Sequence, residues 1–373
     1  MKDKENILYC VHCAIIGDII GFGNGEIEFN FNTSNKIDNR YDIDKISAYS
    51  NRHVVDFISK GGYTGIDLSN DIASDDSILL LAVLDAMTKV NNRDILDVVE
   101  IIKDKLIEYI TNDKKRDQRY YGNRTLDSIN RINSGKKWYN FGFSERAGGC
   151  GASMRSMPIG LKYHNEDQLD KLIEISIESS RITHNNPIAY LGGFVSALFT
   201  SFGIQKHEPK TWIFKLISIL KQDNILELIE NKITKTFPKD YDNHRENYFK
   251  FLQYCKKYVE IRFDEDKNFK ENIANRFFDQ RSQFYFNHFG EQHKFFPGSN
   301  GFDSVIIAYD CLLDCKGSFE TLLYYSALHS GDSDSTGCIA GAFFGAYYGK
   351  FNLPDNMFNI ELYEKAKELC KKI

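Results

Sequence analysis

Proline is scarce in this sequence, with six among 373 residues, and tryptophan occurs only twice. So few prolines leave helices almost free of built-in breaks. Clean apolar/polar alternation is also rare, which argues against a half-buried sheet. No run of about 20 apolar residues is present to span a membrane. The opening MKDKENILYC carries charges of both signs, and the apolar run behind it is interrupted by His12, Gly17 and Asp18. That pattern is not a signal peptide, so a cytoplasmic protein without a membrane partner is expected. The formal net charge is −5. Short basic clusters such as Lys114-Lys115-Arg116 read as solvated surface, and no nucleic-acid partner is expected. Zinc spacing is missing too. Cys10-Val-His-Cys13 has no second CxxC behind it and no redox turn around it. It reads as two residues on one buried helix face, as do Cys311 and Cys315 at i,i+4. The eight cysteines are scattered and read as small core residues of a reducing compartment. Asn32-Thr33-Ser34 and Asn123-Arg124-Thr125 match the glycosylation acceptor pattern, which a cytosolic chain would not use.

What is present is a large apolar content with helical periodicity. Hydrophobic residues make up 42% and aromatics 14%, enough for a sizeable core. Residues 76–90 are apolar almost all round and predict a buried helix. Residues 166–180, 187–202, 210–230, 246–262, 301–313 and 318–328 also predict helices. The fold class expected is all-α, one domain over residues 1–373, with no internal repeat. Segments 30–62, 110–145 and 263–300 read as long loops or insertions. Glycines recur every four residues at Gly337, Gly341, Gly345 and Gly349, and again at Gly17, Gly21 and Gly25. A mid-helix glycine costs about 1 kcal/mol relative to alanine. Two such stripes predict another backbone close by, near the centre of the fold.

The chemistry sits at two helix mouths. HSGDSDSTG, residues 329–337, places Asp332, Asp334 and Ser335 before an apolar run. Residues 73–77, ASDDS, place Ser74, Asp75, Asp76 and Ser77 before the other buried helix. One acidic residue or hydroxyl at each would serve as an ordinary cap. Two carboxylates and a hydroxyl at each exceed that need, because adjacent carboxylates repel unless a cation neutralises them. Singly, each stretch fits capping. Together they form an oxygen-only set suited to hard cations such as Mg²⁺ or Ca²⁺, and predict a two-metal site. A third stretch, AGGCGASMR at 147–155, is a glycine-rich helix start that suits a phosphate or diphosphate. It is neither a P-loop nor GxGxxG. Trp138, Tyr139, Phe141 and Phe143 precede it, as core packing or as a surface for a base. These residues alone also fit a metal-dependent phosphohydrolase, or a non-enzymatic binder whose metals only anchor a ligand.

GDIIGFGNGEIEF, ASDDSILL, RAGGCGASMRSMPIGL, SIESSRITHNNPIAYLGGFVSALFT and HSGDSDSTGCIAGAFFGAYYG together resemble the ADP-ribosylglycohydrolases, in the family's order and over nearly the whole chain. GGCGASMRSMPIGL and SIESSRITH resemble its ADP-ribosylarginine hydrolase branch. The resemblance implies a compact all-helical fold with a central cleft holding two Mg²⁺ ions. It implies hydrolysis of the N-glycosidic bond between ADP-ribose and arginine on modified proteins, by a monomer. Ser74, Asp75, Asp76, Asp332, Asp334 and Ser335 match the metal ligands. Asp75, Asp76 and Glu28 match the catalytic positions, with Asp75 or Asp76 the candidate to orient or deprotonate water. Substrate contacts are implied at Gly122, Asn123, Trp138 and Ser144, at the diphosphate turn of Gly148, Gly149 and Gly151, at His184 beside the ribose, and at Gly301 and Asp303 in a closing loop. Ser77 stands where many members have Thr, and Arg146-Ala147 replaces a more usual polar pair. Related enzymes act on serine-linked or O-acetyl ADP-ribose.

Overall fold

A computed structural model describes residues 2–29, 43–271, 278–289 and 296–373. Seventeen α-helices lie among them. The first six are α1 (Lys2–Phe22), α2 (Ile43–Ser59), α3 (Gly62–Gly65), α4 (Asp75–Met87), α5 (Ile95–Asn112) and α6 (Asn123–Asn133). Next come α7 (Met157–Lys162), α8 (Leu169–Arg181), α9 (Pro187–Ile204), α10 (Trp212–Leu220), α11 (Asn224–Leu228) and α12 (Tyr241–Arg262). The last five are α13 (Phe278–His288), α14 (Asp303–Asp314), α15 (Phe319–Ser326), α16 (Ser333–Tyr348) and α17 (Tyr363–Cys370). Among the described residues there is no strand, only two isolated bridges. The all-α expectation holds.

α16 is the central rod. It packs on α1, α14, α9 and α15, while α4 lies against α5 and α7. Every residue of α9 is buried, and every residue of α4 except Asp85. Uniformly apolar helices can only sit inside. The glycine stripes meet face to face. A Cβ on Gly17 would lie 2.1 Å from the Gly337 carbonyl oxygen, and one on Gly341 2.1 Å from that of Cys13. Gly345 approaches Tyr9 and Gly21 approaches Ser333 in the same way. Two members fall outside the stripe. Gly25 follows α1 in a short 3₁₀ turn at φ +83°, and Gly349 ends α16 at φ +69°.

Several expectations need correction. The segments read as loops contain α2, α6 and α13. α13 is anchored by Arg281, which pairs with Asp314 at 2.5 Å beside the Arg262–Asp310 pair at 2.7 Å. The run 210–230 is not one helix. Buried Ile213, Leu216 and Leu220 demand an apolar residue at 223 or 224, but Asp223 and Asn224 stand there, so the chain breaks between α10 and α11. The expectation that no run is long and apolar enough to cross a membrane also needs correction, because the 21 residues Glu5–Gly25 and the 18 of α9 are both so by length and composition. Both are core helices here. Cys10, Cys13, Cys311 and Cys315 are buried and free, as packing residues should be. Asn32-Thr33-Ser34 lies outside the described residues.

Candidate metal centre

α1 and α16 bring the first carboxylates together. The chain leaves α1 through the 3₁₀ turn, and Phe29 adopts φ +48° with its N–H donating to the Gly331 carbonyl at 3.2 Å. That contact sets Glu28 beside the start of α16. Ligand oxygens of Glu28, Asp332 and Asp334 all lie within 4.8 Å of one another. Asp332 stands at the N-cap of α16, yet its side chain makes no cap hydrogen bond. Capping therefore does not explain it.

The second half comes from α4. Here Ser74 does cap, accepting from the Asp76 N–H at 3.1 Å. Asp75 Oδ2 accepts the Gly122 N–H at 3.4 Å. Asp18, on α1, organises this mouth from beneath. It is fully buried and accepts from the Ser74 N–H at 3.2 Å, the Ser77 N–H at 3.1 Å and the Ser77 hydroxyl. Asp18 was missed as a functional residue, although an aspartate inside an apolar helix stripe was the available signal.

The electrostatics favour a cation. Glu28 is pushed up to about 11 by burial and then by Asp334, Asp332 and Asp75. Asp75, Asp76 and Asp332 are all held well above the usual carboxylate range, first by burial and then chiefly by Asp334. Burial and Asp334 raise Asp18 to about 7. Glu28 Oε2, Asp76 Oδ2 and Asp332 Oδ1 are buried with no hydrogen-bond partner among the described residues. Oxygens on one Mg²⁺ at about 2.1 Å lie roughly 3–4 Å apart, so the Glu28–Asp332–Asp334 set needs only slight side-chain adjustment to fit. The donors are hard oxygens. Among the thiols nearby, Cys150 donates to Asp332 Oδ2 at 3.2 Å.

The glycine turn lies next to this set. Residues 299–301 zip against it, with Cys150 N–H donating to Ser299 O and Gly301 N–H to Gly148 O, both at 3.0 Å. The N–H groups of Gly148 and Gly149 have no acceptor among the described residues. A Cβ on Gly151 would lie 2.7 Å from the His184 ring, so any larger residue there would displace that ring. Arg155, buried behind the turn, donates to the Gly151 carbonyl and, at 2.8 Å, to Thr183 Oγ1. The Thr183 hydroxyl, with no other acceptor for its proton among the described residues, is assigned as donor to His184 Nδ1, 2.7 Å away. His184 then carries its hydrogen on Nε2, toward the turn. Burial, then Arg155 and Arg124, holds it far below the usual histidine range, so the ring is neutral.

Other expected contacts fare unevenly. Asp303 is fully buried and accepts from Asn300 N–H at 3.0 Å and Asn300 Nδ2 at 2.9 Å. Both of its carboxylate oxygens are thus engaged by Asn300 within the loop. Gly301 packs against the backbone of Ile188. Trp138 is buried, donates from its indole to Glu100 at 2.7 Å and faces Arg181. Core packing, not base stacking, is its place. Tyr139 beside it is exposed. Asn123 is exposed at the start of α6, and the Ser144 carbonyl accepts from Asn186 at 3.1 Å. Ser335 turns toward Cys150 and Met154.

The fold and site define a class: an all-helical protein with buried carboxylates converging beside a glycine turn that leaves two backbone N–H groups free. A family profile described as ADP-ribosylglycohydrolase matches residues 1–373. ADP-ribosylhydrolase ARH1 of Dictyostelium discoideum is 34% identical over 395 residues, covering 100% of this chain and 94% of that protein. ADP-ribosylhydrolase ARH3 of Xenopus tropicalis is 22% identical over 307 residues, 77% of this chain and 79% of that one. A solved structure titled ADP-ribosylglycohydrolase-related protein complex superposes with a TM-score of 0.55 at 15% identity, covering 100% of this chain and 97% of the other. This chain belongs to the ADP-ribosylglycohydrolase family.

Proposed function

We propose that the protein hydrolyses the N-glycosidic bond of ADP-ribosyl-arginine on modified proteins, with Mg²⁺, releasing ADP-ribose and restoring arginine. The observation that carries this reading is the convergence of Glu28, Asp332 and Asp334 within 4.8 Å, with oxygens left unpartnered beside Ser74, Asp75 and Asp76. Those six residues, with Ser335, are the ones that would hold two Mg²⁺ ions. When bound, Mg²⁺ supplies Lewis-acid stabilisation and orients the ribose hydroxyls. The free N–H groups of Gly148 and Gly149 and the Nε2–H of His184 bind the diphosphate side of the substrate. Asp76, through its unpartnered Oδ2, accepts a proton from the attacking water, and Asp75 is the alternative acceptor. Water adds at the anomeric carbon while the bond to the guanidine nitrogen breaks, through an oxocarbenium-like transition state. The arginine linkage rests on the resemblance of residues 148–161 and 176–184 to that branch.

The test is mass spectrometry of products from arginine- and serine-ADP-ribosylated peptides, with Mg²⁺ and with EDTA. Intact ADP-ribose from the arginine peptide, abolished by EDTA, is expected. AMP would instead mark attack at phosphorus. Preference for the serine peptide would move the substrate to another linkage. Binding without product would leave a reader of ADP-ribose.

A further inference from the structure

Ala73 precedes the first acidic cluster and makes no contact with the cation position through its own side chain. Both of its backbone groups are nevertheless gripped by charged side chains. Its N–H donates to Glu361 Oε2 at 2.9 Å. Its carbonyl accepts from Arg119 at 2.6 Å. Arg119 and Glu361 are joined to each other by a two-point pair, both bonds 2.9 Å long. The Arg119 carbonyl in turn accepts the Asp75 N–H at 3.1 Å. Asp113 holds the far side of the guanidinium at 3.0 Å and also accepts from Tyr121 at 2.9 Å. Arg119 is itself buried. Glu361 arrives from the segment between α16 and α17, 288 residues along the chain from Ala73.

We propose that Arg119 and Glu361 are positioning residues for the first acidic cluster, fixing Ser74, Asp75 and Asp76 and thereby setting the affinity for Mg²⁺. The proposal rests on the Mg²⁺-dependent reading above. Its physical basis is that Asp75 and Asp76 are repelled by Asp334. The irregular stretch before α4 would relieve that repulsion by moving away unless it were clamped. Asp18 holds the Ser74 N–H from one side, and the Arg119–Glu361 pair holds the preceding peptide from the other. A planar guanidinium suits this work because it reaches a carbonyl and two carboxylates at once.

Partners one shell out from a metal typically change its affinity by about 10–100-fold when altered. Glu361→Gln keeps the volume but loses the charge that pairs Arg119. Arg119→Lys keeps the charge but loses the fork. Each is expected to raise the Mg²⁺ dissociation constant about tenfold, measured by calorimetric titration of Mg²⁺ into the full chain without substrate. At saturating Mg²⁺, kcat for ADP-ribose release should recover to near the parent value. Lys115→Met removes the exposed partner of Glu361, 2.8 Å away, and should leave Mg²⁺ affinity unchanged. If Arg119→Lys does not fold, Glu361→Gln decides. Parent-like Mg²⁺ affinity in a folded Glu361→Gln protein overturns the proposal, as does an activity loss that Mg²⁺ does not rescue. Failure of the parent protein to bind Mg²⁺ would instead show that the underlying metal reading is wrong.

Discussion

Gly341→Ala isolates what the glycine stripes do. The added methyl would lie 2.1 Å from the Cys13 carbonyl oxygen, 2.5 Å from its carbon and 3.0 Å from the Ala14 nitrogen. Contact distances are about 3.5 Å, so α1 and α16 must separate by more than about 1 Å. All three atoms are backbone, and none is a side-chain end that can swing aside. Overpacking of this kind costs typically about 1–3 kcal/mol. Alanine in a helix recovers about 1 kcal/mol over glycine. Because backbone opposes backbone, the steric cost belongs at the top of its range, and the net loss should be about 2 kcal/mol. An unfolding entropy of about 2.1 cal/mol/K per residue makes that a fall in Tm of roughly 2–3 °C for a chain this long. Calorimetry in EDTA reads it without interference from bound metal. Gly65→Ala is the control, since nothing lies within 4 Å of the methyl it would add. That variant should melt at or slightly above the parent. A Gly341→Ala protein melting as high as the parent would refute the claim that close backbone approach maintains the stripe.

Three further outcomes are expected. Burial, offset only in part by the bond to the Met357 carbonyl at 2.8 Å, holds His12 down to about 4. Above pH 6.5 it is neutral folded and unfolded; as pH falls from about 6.5 to 4 only the unfolded chain gains the proton, so up to about 3 kcal/mol of stability is lost. Thermal melts across that range should show a shallower decline for His12→Gln. Gly151→Ala should push the His184 ring, 2.7 Å from the new methyl, and raise KM with Mg²⁺ affinity unchanged; an unchanged KM counts against the turn as the diphosphate site. Asp334→Asn should lower ADP-ribose release by at least about 100-fold and abolish stabilisation by Mg²⁺, yet raise the melting temperature in EDTA by relieving carboxylate repulsion; a lower melt in EDTA would show that Asp334 is chiefly structural.

Helices that are apolar all round, or that carry a glycine stripe, were legible because their burial follows from composition alone. Residues 76–90 and 187–202 lie within a few residues of α4 and α9. α2, α6 and α13 were read as loops because they are rich in polar and charged residues. α6 buries Thr125, Ser128 and Ile129 and little else. Such helices owe their place to docking on a core already formed, and local periodicity carries that information weakly. The break after α10 is different. It was written in the apolar phase at Asp223 and Asn224, but counting apolar residues without tracking their phase hides it.

The site shows the same division at finer scale. Paired carboxylates at a helix mouth carry an electrostatic cost visible in the sequence, because nothing nearby in the chain neutralises them. Groups that only hold the carboxylates carry no such mark. Asp18 resembles a stray charge in an apolar helix, and Arg119 and Glu361 resemble surface residues until the fold joins them at Ala73. Glu28 lies between. Its place depends on how closely α1 approaches α16, where Gly21 meets Ser333 at the mouth itself and Gly17, Gly337 and Gly341 continue the close contact along the two helices. The glycine stripes are therefore part of the metal centre's geometry. They bring two helix ends near enough for oxygens of Glu28, Asp332 and Asp334 to lie within 4.8 Å of one another, and larger residues at those positions would part these carboxylates.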